Sequence, residues 1–148
     1  MKLLKECEIV ADRNVYEDFN QAVGEIFVFL VQKGFKKINK PFKEVDTYTQ
    51  IVFIGKNVAL SFSYDFTENV CDCDVAKVEN GTIVKLDKSM NLWFRPLFSF
   101  LVDRYKYRGG VKVNCPIIFK QFHELYKFNE LLNTVGKNLI DDNIEVFK

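Results

Sequence analysis

The chain has a single histidine and no C-x-x-C pair, and it lacks a glycine-rich phosphate loop, a basic excess and a long apolar run. Each absence closes off a class of function. The one imidazole, His123, lies in a helical stretch with no nucleophile paired to it by spacing, so no Ser/His/Asp or Cys/His centre is expected. Four cysteines are present, Cys7, Cys71, Cys73 and Cys115, but neither their spacing nor a histidine cluster completes a zinc pattern. Buried free thiols are the expectation for them. Gly109-Gly110 has no strand before it and no helix spacing after it, so it is not a phosphate cradle. The formal charge of +1 argues against a general nucleic-acid binder, whose footprint is a basic excess. The longest apolar stretch, Ile26–Val31, is too short to cross a bilayer, and Met1–Ala11 carries Lys2, Lys5, Glu6 and Glu8 where a secretion signal needs an apolar run. A cytoplasmic protein without a membrane partner is expected. No repeat, low-complexity segment or linker stands out, and 148 residues point to one domain spanning 1–148.

Aromatic residues are present in excess. Fifteen phenylalanines in a chain that is 48% hydrophobic and 28% charged supply a large core. A domain of this size buries about two-thirds of its unfolded surface and needs no staples.

The chain is organised around residues 47–87, which read as a four-stranded antiparallel meander: TYTQIVFIG, VALSFSYDF, NVCDCDVAKVE and TIVKLD. Three turns make the same prediction. Asn80-Gly81 is a strong two-residue hairpin signal, because both residues tolerate the positive φ that a primed turn demands. It sets Glu79 opposite Thr82, Val75 opposite Leu86 and Asp74 opposite Asp87. A two-residue loop at Thr67-Glu68 sets Tyr64 opposite Cys71 and Phe62 opposite Cys73. Another at Lys56-Asn57 sets Phe53 opposite Leu60. Side chains alternate along a strand, and opposed residues share a face. All three registers therefore place Ile51, Phe53, Leu60, Phe62, Tyr64, Cys71, Cys73, Val75, Val84 and Leu86 on one core face. A slip of one residue in any turn would put these groups into water.

Parity then fixes the second face: Gln50, Val52, Ala59, Ser61, Ser63, Asp65, Asp72, Asp74, Ala76, Ile83, Lys85 and Asp87. Opposed like charges destabilise a sheet. The carboxylates on this face either stay solvated or have a partner. If helices cover Ala59, Ser61 and Ser63, the aspartates become structural groups.

Asn14 with Glu17 reads as a capping box for a helix whose stripe is Tyr16, Phe19, Val23, Ile26, Phe27, Leu30 and Val31, ended by Gly34. Lys36–Glu44 reads as a solvated basic loop. Pro96 suits the first turn of a buried helix running through Leu97, Phe98, Phe100, Leu101, Val102 and Tyr105. That helix closes on Arg104–Arg108 and Gly109-Gly110, a pattern that cap and dipole chemistry favour without a ligand. Its alternative use is a cationic site, with Arg104, Lys106 and Arg108 as candidate anion-binding residues for phosphate or single-stranded nucleic acid. Val111–Cys115 reads as a short strand or an extended link. A last helical region starts near Pro116 with Ile118, Phe122, Leu125, Phe128, Leu132, Val135 and Leu139 at helical spacing, bent or ended near Gly136 or Asn138. Residues 141–148 receive no assignment. The expected fold is α+β: an N-terminal helix, the four-stranded meander, then two or more C-terminal helices packed on the sheet.

The candidate partner-binding residues are Asp65, Asp72, Asp74, Asp87, Ser61 and Ser63. Residues 47–91 hold four Lys/Arg against six Asp/Glu, whereas 92–148 hold nine against six, so the sheet is the acidic part. Carboxylates on a rigid sheet attract and orient a basic protein. The alternative is a magnesium- or calcium-dependent enzyme using Asp72, Asp74 and Asp87. Lys77 counts against a nuclease of this kind, because its parity points it to the core side, whereas Lys85, across from Ala76, is on the right face and keeps the alternative open. No cofactor, metal or catalytic residue is assigned.

The order of parts resembles small bacterial immunity proteins of contact-dependent or polymorphic toxin systems. The resemblance lies in a helix ending in Gly34-Phe35, LSFSYD at Leu60–Asp65, Val75 to Asn80-Gly81, and closing helices with Leu131-Leu132. It implies a non-catalytic protein that binds and neutralises a toxin, and it carries over no functional residue.

Overall fold

A computed structural model of the chain describes residues 15–38, 48–89, 91–107 and 121–148. Among these, helices α1 (Val15–Ile26) and α2 (Val28–Gln32) lead into strands β1 (Lys36–Ile38), β2 (Tyr48–Ile54), β3 (Val58–Asp65), β4 (Val70–Glu79), β5 (Thr82–Val84) and β6 (Phe94–Pro96). Helices α3 (Leu97–Tyr105), α4 (Glu124–Asn133) and α5 (Lys137–Ile140) follow, then a 3-10 turn at Ile144–Phe147. The class is α+β with an antiparallel sheet, as the sequence indicates. No helix among the described residues is long and apolar enough to cross a membrane.

The registers read from the Lys56-Asn57 and Thr67-Glu68 turns are those observed, and the Asn80-Gly81 register holds from Glu79 opposite Thr82 as far as Lys77 opposite Val84. Phe53 pairs with Leu60, Phe62 with Cys73, Tyr64 with Cys71, and Glu79 with Thr82. Asn80 and Gly81 take the left-handed φ values of 54° and 77° that a primed turn requires. The β3–β4 connection is longer than expected, since pairing stops at Asp65–Val70 and four residues turn, with Asn69 at φ 54°.

The sheet has six strands among the described residues, not four, in the order β1-β2-β3-β4-β5 with β6 also on β4. Two corrections explain the difference. Lys36–Ile38, read as loop, pairs with Val52–Ile54. The strand read as Thr82–Asp87 pairs only as far as Val84; beyond it Phe94–Pro96 occupies the edge of β4. Asp87 stands where the chain turns away from β4. Its carboxylate accepts from the Ser89 N–H at 3.0 Å and hydroxyl at 2.7 Å, and a bridge to Leu92 closes a second small hairpin. Asp74 therefore lies opposite Pro96 and Val75 opposite Arg95, and the expected pairings of Asp74 with Asp87 and of Val75 with Leu86 do not form.

All the described helices that contribute to the main core pack on the aromatic face. The Phe27 ring stacks on Phe62 at 4.0 Å, and Phe19, Tyr64 and Phe122 form a three-ring contact with centroids 5.1–5.6 Å apart. Each such fully buried ring contributes about 1.5–3 kcal/mol of burial free energy. Cys71 and Cys73 are free, buried thiols within this layer, as expected; Cys7 and Cys115 lie outside the described residues. The N-terminal helix is not continuous: it breaks at Phe27, φ −108°, so Val31 is 48% exposed instead of buried in the stripe. Pro96 is the residue before α3, with extended backbone, and Gly136 precedes the short α5. Asn14, Val111–Cys115, Pro116 and Ile118 lie outside the described residues.

Candidate functional site

The second face of the sheet divides into two ends. At one end Val52, Ala59, Ala76, Val78 and Ile83 form a small apolar cluster of their own, with Ile54 and Phe94 against it. At the other end stand Gln50, Ser61, Ser63, Asp65, Asp72 and Asp74, which the register brings to the same side of three adjacent strands. The middle of this face is not open. Ser61 is fully buried, Ser63 is 2% exposed, and Gln50 donates its amide N–H to Ser61 Oγ at 2.6 Å. These small residues are structural in this arrangement and present nothing to a partner.

The aspartates differ from one another. Asp65 caps its own turn, accepting from the N–H groups of Thr67 at 2.9 Å and Glu68 at 3.2 Å. Asp72, opposite Ser63, is exposed; partial burial, then the charges of Glu124 and Asp65, push its carboxyl above the ordinary range. Asp74, opposite Ser61, is half-buried and pushed up from 3.8 to about 6, chiefly by burial and secondly by the charge of Asp72. Among the described residues no lysine or arginine forms an ion pair with Asp72 or Asp74. Alternation leaves Val70 on this same face, 38% exposed beside Asp72, and Phe66 in the adjoining turn is 37% exposed. The exposed end of the β3–β4 hairpin is thus apolar at its tip and acidic around it.

Asp87 is not part of this group, being engaged with Ser89 in the turn after β5. The three carboxylates expected to converge do not, and among the described residues no group of three or more His, Cys, Asp or Glu side chains stands where it could hold a metal ion. Lys85, the lysine expected on the same face, lies over the Trp93 ring at 5.7 Å, and Lys77 pairs with Glu79 at 3.2 Å. His123 is exposed at the start of α4, its Nδ1 3.8 Å from Glu124 Oε1. Burial pushes up both the Cys71 and Cys73 thiols, with Glu124 adding to the first and Asp74 to the second. They are held as thiols, and it is the thiolate that acts as a nucleophile.

Of the candidate anion-binding residues, Arg104 donates to the carbonyl of Glu145 and ties α3 to the C-terminal turn. Lys106 caps α3 in the left-handed region at φ 58°. Arg108 lies outside the described residues.

Two positioning residues carry no obvious sequence signal. Glu124 reaches from α4 to the edge of the sheet, where its Oε2 accepts from the Cys71 N–H at 3.4 Å and covers an otherwise open strand edge. Asp142 accepts three backbone N–H groups of the β2–β3 turn. A capping carboxylate 85 residues away in sequence has no local pattern to betray it.

Comparison of the chain with protein-family models, curated proteins and solved structures gives no match in any of the three.

Proposed function

We propose that this chain is a non-catalytic protein-binding domain, of the immunity or toxin-inhibitor kind, that engages a basic protein through the acidic end of its β3–β4 hairpin. The observation that supports this reading is the composition of that end. Phe66 and Val70 stand exposed at the same hairpin end as Asp72 and Asp74, which among the described residues have no cation paired to them, and Asp65 adds a third charge. An apolar anchor ringed by carboxylates fits a cationic surface: the anchor supplies affinity, and the charges supply association rate and orientation. Two carboxylates already pushed toward protonation gain most when a lysine or arginine arrives. Ser61, Ser63 and Asp87, expected at the interface, are not part of it, the first two because they are buried and the third because it lies elsewhere.

The test is binding of the purified protein to the purified product of the adjacent coding sequence, measured by interferometry at low and physiological salt. Tight association is expected. Asp72→Asn with Asp74→Asn should slow association about tenfold at low salt, and Phe66→Ser should mainly speed dissociation. No association with that protein would sink the toxin-inhibitor class, whereas full-strength association of both variants would remove the hairpin end from the interface.

A further inference from the structure

A groove of about 540 Å³ opens where the Asp87–Leu92 bridge, α3 and the C-terminal turn meet. Small-ligand clefts span about 300–1,000 Å³. The wall of the groove is apolar. Phe100 and Val146 are buried, and the Phe100 and Phe147 rings meet edge to face with centroids 6.0 Å apart. Its rim carries the basic side chains of Arg95, Arg104 and Lys148 against one acidic side chain, Asp87, which already accepts from Ser89. Both guanidinium groups are held in place: Asp103 pairs with Arg95, and the Glu145 carbonyl accepts from Arg104. A guanidinium has five N–H donors in a planar fork, so each contact leaves donors for a ligand.

We propose that this groove binds a small organic anion, a carboxylate on a flat apolar body, with Arg95 and Arg104 taking the carboxylate and Phe100 and Phe147 the apolar part. Charge-assisted pairing to a planar fork suits a carboxylate, and edge-to-face rings accept another flat ring. A bare inorganic anion would leave the apolar wall wet, and a neutral aromatic would leave the guanidinium groups unmatched. The site is separate from the acidic hairpin end. Arg95 lies opposite Val75, on the helix-covered side, while Asp72 and Asp74 project from the other face.

The test titrates isotope-labelled protein with phenylacetate, indole-3-acetate and the neutral phenylacetamide, following backbone amide shifts. Saturable shifts centred on Leu92, Arg95, Phe100 and Val146 are expected with the acids, and binding of the amide about tenfold weaker or more. Arg95→Gln should weaken the acids about tenfold and leave the amide unchanged. Lys148→Gln, at an exposed rim position, should weaken the acids in the same direction and serves where the arginine variant fails to fold. Shifts that do not saturate with either acid, shifts centred elsewhere, equal binding of phenylacetate and phenylacetamide, or wild-type affinity in both variants would each overturn the assignment.

Discussion

Replacing Asp142 with alanine is expected to lower the stability of the fold by about 3 kcal/mol, read as a fall in the urea midpoint at unchanged slope. The residue sits in the left-handed region at φ 57°, which turns its carboxylate back onto the β2–β3 hairpin. There it accepts from the backbone N–H groups of Lys56 at 2.5 Å, Asn57 at 2.7 Å and Val58 at 2.9 Å, while Asn57 Nδ2 donates to its carbonyl at 2.9 Å. Val58 is fully buried, so its N–H has no water to return to when the carboxylate goes. Each lost charge-assisted bond contributes about 1.5–3 kcal/mol, less for those that water can replace. Asn is expected to cost less than Ala, because it keeps one acceptor oxygen and tolerates positive φ. Gly55 supplies an independent check. A Cβ at that position would stand 2.7 Å from Asp142 Oδ2, so Gly55→Ala must displace the same carboxylate. The two substitutions remove one interaction, and a double-mutant cycle should show the pair costing little more than Asp142→Ala alone. Additive costs would mean that the glycine acts through something other than this contact.

The two halves of that interaction were not equally legible in the sequence. The Lys56-Asn57 turn could be read, because alternation on both flanking strands had to place Phe53 and Leu60 on one side. Its capping partner could not, since nothing local to Asp142 distinguishes it from a solvated tail residue. The same contrast runs through the sheet. Registers from β2 to β4 followed from parity, which propagates from a turn without reference to distant residues. The outer strands did not, because β1 and β6 have three residues each, too few to show a period. The end of β5 was legible in principle: Asp87, Ser89 and Asn91 cluster turn-forming side chains within five residues, and Asn91 has φ 55°. Faces followed from sequence, but accessibility did not. Ser61 and Asp72 share a face, yet one is fully buried on the interior strand β3 and the other exposed on β4, beyond the stretch that β5 and β6 cover, a difference that alternation along a strand does not encode.

Asp74→Asn should stabilise the isolated protein, and the gain should depend on pH. The Asp74 carboxyl is raised from 3.8 to about 6, first by burial and then by Asp72, so the native state keeps a proton that the unfolded chain has already released between roughly pH 4 and 6. For a group raised on folding, the favourable contribution is complete below the unfolded value and is lost as pH rises through the folded one. Above about pH 6 the ionised carboxylate opposes folding by up to about 3 kcal/mol, reduced to about 2 kcal/mol because the side chain keeps some solvent. The asparagine variant removes that cost. Its advantage in denaturant melts should therefore be about 2 kcal/mol at pH 7.5 and fall to nearly nothing at pH 4. An equal advantage at both values would assign the gain to packing, and a loss at pH 7.5 would mean that the ionised form has a cation that the described residues do not supply. Partner binding should reverse the sign. A lysine or arginine docked beside Asp72 and Asp74 favours their ionised forms, so the complex should release protons on forming near pH 6 and tighten as pH rises from 5 to 7. The residue that weakens the free domain at neutral pH would then be one that strengthens the complex. Affinity that is flat across that range, alongside the predicted gain in the asparagine variant, would place the partner's charges away from Asp74.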